Sequence, residues 1–352
     1  MTNRSIFITG GAGYAGSRLV PQLIDKGYKV TVYDIMYFGS DFLPKSKNLN
    51  IIEGDIRDAL KLESACKDHD IFLNLACISN DTSFEIDERL STSINLDAFE
   101  PMVLAAKRSK IKRFIYASSS SVYGVSDQKD VKEDHPLIPL TLYNKYKGLC
   151  EPLLFKHTDK NFEGVVFRPA TVCGYAPRQR FDLSVNILTN HAVNNKKITV
   201  FGGDQLRPNL HIQDYCDLIE KLILAKSDKI CNQIFNVGYQ NMSIKEISQV
   251  VQRVVQREFP DFGEIPIITT KSNDNRFQWL EEEKEIETEI DQIKDVFQKK
   301  GGSSGGFAIE SKPFTLQTQL SSFNTANHIS SNWIIISKNP RYIQFCCLKL
   351  DC

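Results

Sequence analysis

The stretch IFITGGAGYAGSRLVPQLIDKGYKVTVYD, Ile6 to Asp34, reads as strand, glycine turn, helix, strand. A short apolar strand running into three spaced glycines and an amphipathic helix brings backbone N–H groups against a pyrophosphate. In that reading Gly10 makes the tight turn, Gly13 lets the backbone approach the phosphates, and Gly16 lets helix and strand pack closely. The anion sits on the helix N-terminus, where unpaired N–H groups and the helix dipole both favour negative charge. Asp34 falls eighteen positions after Gly16, at the end of the second strand. An acid there bonds the adenosine ribose hydroxyls and repels a 2′-phosphate, so the expected cofactor is NAD rather than NADP. The plainer reading is a glycine loop that only turns the chain. It leaves the strand before, the helix after and the spacing of the acid without a reason.

At 352 residues the chain has room for one large domain or two intermediate ones. Its 43 basic and 43 acidic side chains cancel, which argues against nucleic acid or an anionic membrane as a partner held by bulk charge. No stretch resembles a signal peptide or is long and apolar enough to span a bilayer, so a cytoplasmic protein is expected. The nine cysteines are scattered without CxxC or His-x-x-His spacing, which fits reduced thiols and no metal site.

Beyond Asp34 and a polar loop, LNIIEGDIRD supplies a third strand, Leu49 to Glu53, then Gly54-Asp55-Ile56. Strand carboxyl ends line the crevice of a doubly wound sheet, so Asp55 and Ile56 either hold the adenine or, for Asp55, cap a helix from Arg57. DIFLNLAC, Asp70 to Cys77, is a continuous apolar run of the kind found in buried parallel strands. A helix is expected from Ser91 to Lys110, with Ile94, Phe99, Val103 and Leu104 on one face.

IKRFIYASSSSVYG then runs a strand into four serines. Consecutive hydroxyls at a strand's carboxyl end form a ligand site or a serine-rich turn. The helix LYNKYKGLCEPLLFKH places Tyr143 and Lys147 at i and i+4 on one face. A phenol ordinarily ionises near about pH 10, but a neighbouring ammonium and a cationic nicotinamide ring stabilise the phenolate. With Ser119 holding the same substrate oxygen, this is general acid–base chemistry on an alcohol whose hydride the oxidised cofactor accepts. Further on, the strand Gly164 to Arg168 turns at Pro169. KITVFGGDQLRPNLHIQDY is read as strand, glycine turn and basic loop, followed by a helix that Asp214 caps. In that loop Arg207 clamps a diphosphate or is a surface charge. QIFNVG, Gln233 to Gly238, reads as another strand.

Taken in order, TGGAGYAG, Asp34, GDIRD, NLA, ASSSSVYG, YNKYK, FRPATVCGY and RPNLHIQD resemble the extended short-chain dehydrogenase/reductase family, in its NAD-dependent nucleotide-sugar epimerase/dehydratase branch. The resemblance covers roughly residues 5 to 276. It implies a Rossmann doubly wound parallel sheet over residues 1–169, rejoined by the strand at 233–238, and a smaller α/β substrate domain over 170–276. It implies Ser119, Tyr143 and Lys147 as catalytic residues. The implied cofactor contacts are Gly10, Gly13, Tyr14, Ala15, Gly16, Asp34, Asp55, Ile56, Leu75, Ala76, Asn95 and Pro169, with Tyr143 and Lys147. Asn95 would support the lysine through water. Ser119, Tyr143, Thr171, Asn186 and Arg207 would meet a nucleotide-diphosphate sugar, with Arg207 on its diphosphate. A homodimer through the helices at 91–110 and 142–157 is the family's habit.

Two departures shape the expected activity. Branch members that dehydrate or decarboxylate carry an acid beside the catalytic hydroxyl, where this chain has Ser120 and Ser121. That favours a 4-epimerase working through a 4-keto sugar. Reductase, dehydrogenase or dehydratase activity, or a catalytically silent NAD-binding protein, stand as alternatives. The family pattern also stops near Arg276: residues 277–300 read as an amphipathic helix, and 301–352 as a Gly/Ser linker and an atypical tail.

Overall fold

The computed structural model describes residues 4–79, 81–126 and 131–270. The expected helix at 277–300, the linker and tail at 301–352, and positions 271–276 of the substrate domain lie outside the described residues. In chain order come β1 (Ser5–Thr9), α1 (Tyr14–Asp25), β2 (Lys29–Asp34), β3 (Leu49–Glu53), α2 (Ala59–Ala65), β4 (Ile71–Asn74), α3 (Asp81–Ile86), α4 (Glu88–Thr92), α5 (Phe99–Arg108), β5 (Arg113–Ala117), α6 (Leu142–Phe155) and β6 (Glu163–Pro169). Then follow β7 (Thr171–Cys173), α7 (Ser184–Asn194), β8 (Ile198–Phe201), β9 (Leu206–His211), α8 (Ile212–Leu224), α9 (Ser227–Ile230), β10 (Gln233–Val237), β11 (Gln240–Ser243), α10 (Ile244–Glu258) and β12 (Ile267–Thr270).

Seven parallel strands form the main sheet in the order β10-β6-β5-β4-β1-β2-β3. The chain reverses direction across the sheet at β1, which lies between β2 and β4, so a crevice opens at their carboxyl ends. Alternate residues of the strands serve opposite faces. Ile6 and Ile8 pack with Leu19, Val20 and Leu23 of α1, while Phe7, Phe72 and Phe114 pack with Leu62, Met102, Val103 and Leu154 from α2, α5 and α6. The returning strand near Ile234 pairs with β6 as expected, Ile234 opposite Val166.

The second lobe has its own core, in which Val185, Leu188, Ile198, Val200, Ile247 and Val251 pack together. Its boundary differs from the expected 170–276 block. The apolar stripe of α8, Leu218, Ile219, Leu222 and Ile223, joins the α1 face of the Rossmann sheet. A 3-4 spacing marks an apolar face without saying which sheet it covers.

Three local expectations are also corrected. The cap of α8 is His211, whose ring accepts the Gln213 N–H at 3.1 Å, and Asp214 is buried within the first turn. Arg207 lies on strand β9, opposite Met242 of β11, rather than in a loop. The expected helix over 91–110 is interrupted by a π-helical turn, Ser93–Asp97. The wider turn changes the phase of the helix, so Asn95 is turned inward while Leu104 is only half-buried. Among the described residues no helix is long and apolar enough to cross a membrane.

Candidate active site

The glycine turn lies at the reversal point of the sheet. Gly10 adopts φ +73°, and a Cβ there would meet the backbone nitrogen of Ala76 at 2.6 Å. Leu75 and Ala76 thus close one wall of the turn. A Cβ on Gly16 would meet the Gly11 carbonyl oxygen at 2.3 Å, so helix and turn touch backbone to backbone. On Gly13 it would touch only the Gly10 carbonyl at 3.2 Å, which leaves a cradle above the start of α1. Asp34 borders the cradle: its carboxylate accepts the Ala12 N–H and the Met36 N–H, each at 3.0 Å. Burial raises its pKa above the ordinary carboxylate value, against the lowering effect of the Met36, Ala12 and Ile35 amides and the charge of Arg178. Each carboxylate oxygen has two lone pairs, so Asp34 can still accept from ribose hydroxyls. Glycine cradle, helix end and acid together fit a dinucleotide without a 2′-phosphate.

The remaining expected cofactor contacts divide. Asp55 does not cap α2; that is done by Asp58, which accepts the Lys61 N–H at 3.0 Å. The Asp55 carboxylate is held by Arg57, whose hydrogen bonds lower its pKa although burial alone would raise it. The Ile56 side chain is buried with Tyr33 and Phe7. Tyr14 donates from its hydroxyl to the Gly174 carbonyl at 2.6 Å, so its side chain reaches into the second lobe while its backbone forms the first turn of α1. Ala15 follows it in that turn. Pro169 ends β6, and the next amide, Ala170, bonds the Val237 carbonyl at 2.7 Å.

The acid–base residues meet where β5 ends. Lys147 is 6% exposed, and its ammonium donates to the Ala117 carbonyl at 2.8 Å, 6.0 Å from the centre of the Tyr143 ring. Ser119 caps the short 3₁₀ turn Ser120–Tyr123. Its hydroxyl lies 2.7 Å from that of Ser121, which donates to Asn144 at 2.5 Å, beside Tyr143 on α6. The serine run is therefore tied to the tyrosine helix by a chain of hydrogen bonds. Asn95 accepts the Ile78 N–H at 2.9 Å and donates to the Ile78 carbonyl at 2.8 Å, fixing the loop after β4. Between Asn95 and Lys147 lies a cavity of about 10 Å³, the size of one water.

The substrate positions are less uniform. Thr171 begins β7, half-buried. Asn186 accepts the Gly174 N–H at 3.0 Å and donates to the Arg180 carbonyl at 2.8 Å, so as placed it shapes the 174–180 loop. Arg207 is half-buried, and burial pulls its pKa below the ordinary value. A guanidinium in that state gains from an anionic ligand.

Sequence reading missed two groups. Arg168 grips Glu151, which also accepts from Ser118 at 2.6 Å; the same guanidinium reaches Tyr123, which donates to Asn236 of β10 at 2.6 Å. The signal was a charge inside an otherwise apolar parallel strand. Arg180, paired with Asp182, donates to the Ser79 hydroxyl at 2.9 Å. Burial works against its charge, but Asp182 and, more weakly, Tyr143 hold its pKa above the ordinary value. No periodicity marks that residue.

Residues 6–238 match the NAD dependent epimerase/dehydratase family. The uncharacterized UDP-glucose epimerase YtcB of Bacillus subtilis is 30% identical over 267 residues, covering 72% of this chain and 83% of that protein. A dTDP-glucose 4,6-dehydratase of an Actinoplanes species is 27% identical over 247 residues, covering 66% and 76%. The crystal structure of UDP-glucuronic acid 4-epimerase from Bacillus cereus, solved with UDP-glucuronic acid and NAD, superposes with a TM-score of 0.67 at 26% identity, covering 76% of this chain and 86% of that one. With the glycine cradle, Asp34 and the Tyr143–Lys147 pair in place around one crevice, this chain belongs to the NAD dependent epimerase/dehydratase family, and its dinucleotide is NAD.

Proposed function

We propose that the protein is a nucleotide-sugar 4-epimerase. The observation that carries this reading is the serine run: Ser119 and Ser121 are linked to Asn144 beside Tyr143, and no carboxylate occupies positions 120 or 121 to drive loss of water or carbon dioxide. Tyr143, with the Lys147 ammonium near its ring, takes the proton of the sugar 4-hydroxyl, and Ser119 holds the same oxygen. NAD would accept the hydride from C4 and give it back to the opposite face of the sugar. Arg207 grips the sugar-nucleotide diphosphate, and Thr171 borders the sugar. The 4-keto sugar turns over in the pocket and Tyr143 returns the proton, with no net oxidation. We place the homodimer contact on α5 and α6, where Leu149 is exposed.

The test is a panel of UDP-, dTDP-, GDP- and CDP-sugars assayed without added cofactor. A product of unchanged mass and altered 4-stereochemistry is expected, with Tyr143→Phe slower by about 10²- to 10⁴-fold. Wild-type turnover by that variant would overturn the assignment. Similarity to the Actinoplanes dehydratase favours a second reading, in which the product is lighter by one water.

A further inference from the structure

Segment 174–183, GYAPRQRFDL, belongs to the second lobe but is pinned to the Rossmann lobe on both sides of the glycine turn. On the β2 side, the Arg178 guanidinium lies 3.5 Å from the centre of the Phe38 ring, four residues beyond Asp34. The backbone N–H of Arg178 donates to Ser17 at 3.1 Å, in the first turn of α1. On the β4 side, Arg180 donates to Ser79 at 2.9 Å, in the loop after β4, and is held by Asp182. Since β1 lies between β2 and β4, a segment fixed to the loops after both strands crosses the crevice over the glycine cradle. Its stem is fixed as well: Gly174 bonds Tyr14 and Asn186, and Ala176 is buried against Tyr14 and Ile212.

We propose that segment 174–183 is a strap that retains NAD, with Arg178 on Phe38 as its clasp on the Asp34 side and Arg180 on Ser79 as its clasp on the Tyr143 side. Two guanidinium groups on the segment that spans the glycine cradle suit the dianionic pyrophosphate of NAD, and the Arg178 charge also reaches Asp34. The planar stack on Phe38 fixes the guanidinium at low entropic cost, which an ammonium does not reproduce. Arg178 and Phe38 then act as positioning residues for the cofactor. Exchange of NAD requires the strap to lift.

The strap rests on NAD as the dinucleotide and not on the sugar reaction, so its test uses no sugar. The full chain is loaded with NADH, chased with excess NAD, and the loss of bound-NADH fluorescence is timed. Arg178→Gln and Phe38→Ala should each speed release by about tenfold, and the double variant by no more than about twofold beyond the faster single, because both break one contact. Arg178→Lys should fall between wild type and Arg178→Gln. Ser79→Ala, which removes only a hydroxyl and is expected to fold, should speed release by about threefold by opening the other clasp. Unchanged release in the variants that fold, with or without a lower melting temperature of the apo-protein, would overturn the strap, as would multiplying effects in the double variant. A chain that turns over no nucleotide sugar but shows these release rates would leave the strap standing and remove the epimerase reading.

Discussion

Arg168 holds Glu151 by two parallel hydrogen bonds, Nε to Oε1 at 2.9 Å and Nη2 to Oε2 at 2.6 Å, with both side chains 3% exposed. The pair joins β6 to the helix that carries Tyr143 and Lys147. It fixes the acid–base helix against β6, and through Tyr123 and Asn236 it reaches β10, the strand that returns from the second lobe.

Removing one partner leaves a buried charge uncompensated. Glu151→Leu and Arg168→Met should each destabilise the fold by about 3–5 kcal/mol, while the double substitution should recover much of the loss. Urea unfolding of the three variants gives the coupling. Additive losses would show that the two charges are not balanced by each other.

Asp34 should make apo stability and NAD affinity respond oppositely to pH. Burial raises its pKa in the folded state, so the folded apo-protein keeps that proton longer than the unfolded chain does. Its contribution to apo stability therefore declines as pH rises from the ordinary carboxylate range through the raised value. NAD needs the ionised form as an acceptor, so its affinity should fall as pH drops through the same window. Asp34→Asn should flatten the apo slope and weaken NAD by about 1.5–3 kcal/mol, the worth of hydrogen bonds to a charged group. Melting temperatures of the apo-protein and NAD titrations across that window check both signs.

Gly10 and Gly27 separate backbone strain from collision. Both have positive φ, but a Cβ on Gly27 would meet nothing within 4 Å, whereas one on Gly10 would strike Ala76. Gly27→Ala should cost about 1–2 kcal/mol from the left-handed backbone alone. Gly10→Ala should cost more, and should also abolish NAD retention by moving the end of β4 away from β1. Equal losses in denaturant, with NAD retained, would refute the crowding.

Much of this arrangement was legible in the chain. The glycine spacing, Asp34, the serine run and the four-residue step from Tyr143 to Lys147 are local patterns, each open to a plainer reading alone, whose order along the chain pointed to one site. What escaped depends on packing across the sheet. The stripe on α8 gave its face but not its partner, and Asp214 had a better-placed competitor for the cap in His211. Asn186 and Tyr14 are far apart in sequence, yet both hold Gly174. Arg178 and Arg180 lie in a segment without periodicity, where only the fold shows that their side chains reach across to Phe38 and Ser79.

The last strand of the main sheet has a consequence for how the chain is made. β6 is covered on one flank by β5, but its other flank is met only by β10, after β7 through α9 have been synthesised. A nascent chain paused on the ribosome near Ala170 therefore presents a naked strand edge, the kind of surface that pairs with the wrong neighbour. The main sheet is complete only when Val237 emerges, so it cannot close before β7 through α9 have been made.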